Sequence, residues 1–469
     1  MASASATASP MGSQATIAAR LDRLPTTFHI KKLIALISLG GMFEFYDLFM
    51  IAYIALGLIK AGIFKATTTG LFDWNGYASF VAASFAGLFV GTILFSYVSD
   101  RYGRRSIFTF SLLWYSVFTF IMAFQNTPQM IDLWRFIASV GIGVELVTID
   151  SYISELTPKE SRGRAIAVSQ IITFTAVPII ALIATLLVPQ TIFGLAGWRW
   201  VVIIGSLGAV AVWFIRLGLP ESPRWLESHG RTKDADHVMS QIEQRVQAEA
   251  NRPLPPPVIV EGEQPQLRGS WFEMWSPQYR SRTIMLVIFN LFQTVGYYGF
   301  ASWVPVLLFN HGITLVKSLE YTFIIAIANP FGSLISYLIT DQTQRKWQIV
   351  WASISIAVFG LIFAQMHVAP GIILFGILVT LANNVLSSAF HAYQAELYPT
   401  RIRALAVGFV YSWSRFSTIF VGFLIAAVLR SAGIPGVFAL IAAAMVVVAV
   451  VIGAMGPATT RVRLEALSR

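Results

Sequence analysis

The chain has 469 residues, 56% of them apolar and 12% charged, with a formal net charge of +10 and no cysteine. A soluble protein is about a quarter charged, so this composition describes a polytopic membrane protein. The lack of cysteine excludes disulfides, thiolate catalysis and cysteine metal sites, and the basic residues fall between apolar runs without forming a groove for nucleic acid.

Residues 1–29 are rich in Ala, Ser and Thr up to position 26, with no apolar core, so they read as a disordered cytoplasmic tail and not as a signal peptide. Twelve apolar segments follow, at 30–59, 75–99, 106–124, 131–155, 165–188, 198–218, 283–309, 318–340, 348–367, 370–396, 404–430 and 433–456. Nearly all have the ~20 residues that a membrane span needs, and lipid leaves the helix as the only backbone solution for runs this long. The expected division is a six-helix bundle over 30–218, a central loop over 219–282, a second six-helix bundle over 283–456 and a tail over 457–469. Positions 231–250 are helix-compatible but show no apolar stripe wide enough for a core, and Pro253 and Pro255–Pro257 end them. Lys and Arg crowd the central loop, both tails and alternate short loops, which puts these on the cytoplasmic side.

Two carboxylates, Glu44 and Asp47, lie three residues apart inside the first apolar run, on one helical face. A charge at that depth costs ~2.5–3.5 kcal/mol on insertion scales. Two readings stand: a proton or ion site, or a structural pair with a buried cation. Pro178, Pro305 and Pro330 inside later runs predict kinks in helices five, seven and eight.

The two halves repeat. Glu155-Leu156-Thr157-Pro158 with Arg162 reappears 241 residues later as Glu396-Leu397-Tyr398-Pro399 with Arg403. The same offset carries Asp100 to Asp341, Arg104 to Arg345 and Arg105 to Lys346. A parallel duplication of six helices predicts a substrate site near the midplane, between halves that rock against each other. Asp100, Arg104, Arg105, Glu155, Arg162, Asp341, Arg345, Glu396 and Arg403 form a cytoplasmic cluster able to latch the halves in one state, unless they are topogenic charges alone.

The Asp100–Arg105 run resembles the loop-2–3 signature of major facilitator superfamily transporters. Arg135 with Gly141-Ile142-Gly143 is similar to their helix-four motif. Pro220-Glu221-Ser222-Pro223-Arg224-Trp225 and the Glu-Leu-x-Pro segments resemble the sugar-porter branch and its relatives, synaptic vesicle protein 2, niacin permeases and organic ion transporters. The resemblance covers residues 30–456 and implies an all-α membrane protein, twelve transmembrane helices in two pseudo-symmetric six-helix bundles. It also implies that Asp47, after Tyr46, pairs with Arg135 in proton coupling; Glu44, on the same helical face as Asp47, is a second candidate from the sequence itself. An arginine favours the ionised carboxylate and burial disfavours it, so such an acid is poised to load and release a proton; plain neutralisation of Asp47 is the alternative.

The departures bear on substrate. Sugar porters carry a Gln pair and a Gly-x-Asn in helix seven; here the stretch has Gln293, Thr294, Tyr297 and Tyr298, and His391 replaces the Trp expected in helix ten. Helix four adds Glu145 and Asp150, helix ten Asn384, and helix eleven Arg415, whose guanidinium suits a carboxylate if no internal acid takes it. The expected function is a secondary transporter, a proton symporter importing a small polar metabolite, with an organic acid such as nicotinate favoured over a sugar. A sugar symporter, a proton-antiport exporter of drugs or metabolites and a non-transporting receptor stay open. No enzyme activity is expected, since neither a phosphate-binding loop with Lys-Ser/Thr nor metal-ligand spacing occurs. The chain is expected to act as a monomer in a bacterial inner membrane, with no cofactor and a proton gradient as its energy source.

Overall fold

A computed structural model describes residues 12–67, 70, 72–158, 160–257, 270–339 and 343–459. Asp341 lies outside this set, as do the side chains of Asp100, Glu145 and Asp150. Twelve helical spans run through the described residues. Spans 1 to 4 are Phe28–Lys60, Tyr77–Tyr102, Arg104–Met122 and Pro128–Leu156. Span 5 joins Arg162–Phe174 to Ala176–Leu187, and span 6 is Gly197–Arg216. Span 7 joins Arg280–Ala301 to Val304–Asn310, and span 8 joins Leu315–Ala326 to Ala328–Ile339. Spans 9 and 10 are Arg345–Phe363 and Ala369–Glu396. Spans 11 and 12 run within Thr400–Met455, parted at Gly433, whose φ of 64° and ψ of −163° suit only glycine.

The predicted kinks have a common form. Spans 5, 7 and 8 break at Thr175, Ser302 and Ile327, each three residues before a proline. The proline then sits in the first turn of the new helix, where its missing N–H leaves no hydrogen bond unmade. Between spans 2 and 3, Gly103 turns the chain with φ 97°, and a Cβ there would stand 2.4 Å from Glu221 Oε2. Spans 2 and 4 approach until their backbones touch. A Cβ on Gly91 would lie 2.1 Å from the Val140 carbonyl, and one on Gly143 2.4 Å from that of Leu88.

The N-terminal segment corrects an expectation. Residues 12–29 are not a disordered tail. Gly12–Asp22 is a helix, and Ile17, Leu21 and Leu24 bury against Trp225, Leu226 and Met239. Arg20 bonds Glu243 at 2.7 Å and Asp236 at 2.9 Å, and Arg23 bonds Glu243 at 2.6 Å. The helix Thr232–Ala250 presents Ala235, Met239, Ile242 and Val246, a stripe narrower than a core helix needs. It suffices because the N-terminal helix and the foot of span 1 cover it from two sides.

The halves are closed at the end away from these segments. The Tyr77 hydroxyl stands 3.0 Å from the Ile51 carbonyl and 2.8 Å from that of Ser302, across the halves. Its ring meets Trp303 edge-on at 5.0 Å. At the terminus-bearing end no ion pair among the described residues joins the two halves. Arg104 Nε meets Glu155 at 3.4 Å and Arg345 Nε meets Glu396 at 2.5 Å. The 241-residue repeat thus places the same atoms in the same contact twice.

Candidate functional site

Span 1 is wedged into the molecule, with every residue from Tyr46 to Leu58 buried. Asp47 projects from it toward span 4. Arg135 Nη1 bonds Asp47 Oδ2 at 2.6 Å and Nη2 bonds the Asp47 backbone carbonyl at 3.0 Å. Arg135 Nε donates to Ser84 at 2.9 Å, and Thr119 donates to the other Asp47 oxygen at 3.1 Å. Arg135 has no exposed surface and Asp47 has 4%. Removing one partner of such a pair strands a charge, at about 3–5 kcal/mol. The pair named from the sequence is therefore formed, and it is enclosed on four helices.

Glu44 lies one turn earlier and is fully buried. It acts electrostatically on Arg415, in the other half. Arg415 is 4% exposed on span 11, and its guanidinium donates to Tyr298 at 2.7 Å and to Tyr411 at 3.0 Å. It also lies 5.0 Å from the centre of the Tyr411 ring. Among the described residues no carboxylate comes within ion-pair distance of it. Two phenols satisfy two donors of a five-donor fork and leave its charge uncompensated at contact range.

Around this arginine the aromatic residues are continuous. Tyr298 meets Phe85 of span 2 at 4.5 Å and Tyr297 at 5.0 Å, both edge-on. His391 lies 5.3 Å from Tyr411, with Nδ1 2.7 Å from the Ser387 carbonyl. A cleft of about 430 Å³, its openings included, lies between the halves, bounded by spans 1 and 5 on one side and 7, 8 and 10 on the other. Tyr297 and Asn384 line it, with Tyr53, Thr322, Asn329 and Asn383. Asn384 Nδ2 bonds Asn329 Oδ1 at 3.2 Å, and the side-chain oxygens of Asn383 and Asn384 are buried without a hydrogen-bond donor.

The structure therefore divides the substrate residues named from the sequence. Tyr297 and Asn384 face the cleft, Tyr298, His391 and Arg415 form the cluster beside it, and Gln293 is half-buried on span 7 and lines no part of the cleft. Sequence reasoning missed Asn329, Thr322 and Tyr53, because nothing in spacing marks which polar residue of an apolar run turns inward. Of the terminus-bearing cluster, Arg104 with Glu155 and Arg345 with Glu396 pair, Arg105 bonds the Leu217 carbonyl at 2.6 Å, and Arg403 bonds that of Tyr398 at 3.3 Å. Arg162 makes no ion pair among the described residues.

A model of the sugar (and other) transporter family matches residues 33–469. The chain belongs to that family. Like it, this protein is a membrane transporter of the major facilitator type and not an enzyme. It is 31% identical to the putative metabolite transport protein YyaJ of Bacillus subtilis, over 94% of this chain and 95% of the other. It is 26% identical to the niacin transporter NiaP of Acinetobacter baylyi, over 96% of this chain and 99% of that one. The inward-open conformation of the xylose transporter XylE from E. coli has the same fold, with TM-score 0.73 and 17% identity over 93% of this chain and 99% of XylE.

Proposed function

We propose that this protein imports a small aromatic carboxylic acid together with a proton. The observation that carries the substrate class is Arg415, a buried guanidinium held by Tyr298 and Tyr411 with no carboxylate at contact distance among the described residues. A substrate carboxylate would accept the remaining N–H donors in a forked arrangement, and the rings of Tyr297, Tyr298 and Tyr411 offer faces to an aromatic body. The niacin transporter among the relatives transports an acid of this class.

Coupling falls to Asp47. Protonating its carboxylate cancels the attraction to Arg135, and the bond from Arg135 to the Asp47 backbone carbonyl keeps the guanidinium in place while that happens. The four helices of the first half that meet at this pair change their packing as the proton arrives and leaves. XylE, which shares the fold, is a proton:xylose symporter. The excess of Lys and Arg at the terminus-bearing end supports reading it as the cytoplasmic end, and a bacterial inner membrane and a monomer complete the reading.

A sugar is the second reading, favoured by the donor-seeking amides Asn383 and Asn384 in the cleft. Uptake into proteoliposomes under an inward proton gradient separates the two, with nicotinate, benzoate, xylose and glucose offered to wild type and Asp47→Asn. Nicotinate or benzoate uptake that is stimulated by the gradient and lost in Asp47→Asn is the expected result. Uptake of sugars alone would overturn the substrate class. Uptake that ignores both the gradient and Asp47→Asn would overturn the coupling.

A further inference from the structure

The chain enters span 7 through a 3₁₀ helix, Trp271–Trp275, with the sequence Trp-Phe-Glu-Met-Trp. Met274 is its buried residue. The Met274 carbonyl accepts from the Thr283 hydroxyl at 2.9 Å, and the Ser270 hydroxyl accepts from the Phe272 N–H at 3.3 Å. The element is thus fixed against the first turn of span 7. Its other apolar side chains face out. Trp271 is 46% exposed, Phe272 80% and Trp275 42%. Together these rings expose on the order of 300 Å², the size at which apolar surface marks a contact.

The position of the element identifies the contact. Trp271 and Trp275 both rest edge-on against Phe409 of span 11, at 5.1 and 5.8 Å. On the same face of that span Leu405, Phe416, Phe420 and Leu424 are exposed. Trp413 continues the row of rings from Phe409 to Phe416 and Phe420. A line of exposed apolar side chains along a span is the side that lipid wets. The 3₁₀ helix therefore lies outside the bundle, on a lipid-facing flank. Its depth follows from lengths. Span 11 runs from Thr400 to the break at Gly433, about 50 Å of helix against ~30 Å of hydrocarbon. About two turns project at each end, and Phe409 lies in the third turn, at the boundary. Arg280, exposed at the start of span 7, adds a guanidinium suited to phosphate at that level.

We infer that Trp271–Trp275 is an interfacial anchor whose partner is the phospholipid bilayer, with its three exposed rings seated between the headgroups and the acyl chains of the leaflet at the terminus-bearing end. Aromatic rings prefer that boundary, where an apolar body and a polar edge are both satisfied. Because Met274 is held by Thr283 and both tryptophans rest on Phe409, the anchor ties the foot of span 7 and the flank of span 11 to one depth in the membrane.

The absence of cysteine allows a test that needs no substrate. Phe272→Cys carries a nitroxide label in the full-length protein, reconstituted in vesicles of phosphatidylcholine and phosphatidylglycerol. Gln247→Cys, exposed on the helix Thr232–Ala250, serves as the water-facing control. Power saturation in electron paramagnetic resonance compares collisions with oxygen, which concentrates in lipid, and with a water-soluble nickel chelate. Oxygen is expected to dominate at Phe272→Cys and the nickel chelate at Gln247→Cys. Domination by nickel at Phe272→Cys would place the helix in water and overturn the inference. Low access to both reagents would mean that a protein surface covers it, and would overturn it equally. A second measurement leaves Phe272 in place. Brominated phospholipid is expected to quench wild-type fluorescence by a larger fraction than that of Trp271→Phe/Trp275→Phe, and equal fractions would contradict the anchor. Failure of gradient-driven nicotinate uptake would strike the proposed function and leave this result standing.

Discussion

Arg135 holds Asp47 twice, through the carboxylate at 2.6 Å and through the backbone carbonyl at 3.0 Å. The second bond does not depend on charge. It makes the two partners unequal. Asp47→Asn leaves Arg135 with the carbonyl, Ser84 and an amide oxygen. Arg135→Ala leaves a buried carboxylate with Thr119 alone. Asp47→Asn is expected to lose less stability than Arg135→Ala, as read by thermal unfolding in detergent, and to lose gradient-driven uptake. Arg135→Ala is expected to lose about 3–5 kcal/mol of stability. Equal stability of the two variants would mean that the backbone bond contributes nothing.

Arg415 distinguishes shape from charge. Its forked geometry suits a carboxylate and lysine's point charge does not. Arg415→Lys is expected to weaken binding of nicotinate by about tenfold or more, since a charge-assisted bond contributes ~1.5–3 kcal/mol. Tyr298→Phe removes one of the two bonds that aim the guanidinium and is expected to have a smaller effect. Isothermal titration in detergent reads both. An Arg415→Lys variant with wild-type affinity would exclude the forked contact.

The glycines between spans 2 and 4 meet backbone, which cannot move aside. A methyl group at Gly91 or Gly143 would overlap a carbonyl of the facing helix. Gly91→Ala is expected to lower the melting temperature or abolish folding. Gly296→Ala is expected to be mild, because the nearest atom to its Cβ is the flexible end of Met445 at 2.6 Å. Comparing the two melting curves checks the contrast.

Two carboxylates beside the N-terminal segment, Glu227 in the short helix Pro223–Ser228 and Glu243 in the helix Thr232–Ala250, have opposite pH behaviour. Burial and the nearby Asp236 push Glu227 up to about 7. Its folded value lies above its unfolded one, so its stabilising effect is full below the ordinary carboxylate range and is lost as pH rises through about 7. Glu243 is shifted the other way. Burial raises it, but the hydrogen bonds and charges of Arg20 and Arg23 outweigh that and hold it below its ordinary value. Its contribution is present above the ordinary range and is lost as pH falls through the folded value. Glu227→Gln is therefore expected to slow proteolysis of residues 12–24 at pH 8 and to change nothing at pH 5. Arg20→Ala is expected to speed it at pH 8, with the difference from wild type shrinking in acid. A Glu227→Gln effect equal at both pH values would contradict the shift.

What the sequence determined by itself was whatever the bilayer or the repeat imposes. Runs of about 20 apolar residues must be helices in lipid, so the spans were readable one by one. The 241-residue offset named both members of the Arg104–Glu155 and Arg345–Glu396 pairs before any distance was known. Prolines announced the breaks in spans 5, 7 and 8, because their ring and missing N–H act locally. The tertiary structure alone decided which polar groups meet. Asp132, Asn329 and Asn383 look alike in the sequence, as polar residues in apolar helices. Only the packing of spans 1, 2 and 3 around Asp132 buries its carboxyl, and only the gap between the halves turns Asn329 and Asn383 toward a cleft. The N-terminal helix shows the same limit. Ile17 and Leu21 in it, and Leu24 just after it, have no apolar run to announce them, and they become a core only because a narrow stripe more than 200 residues away faces them.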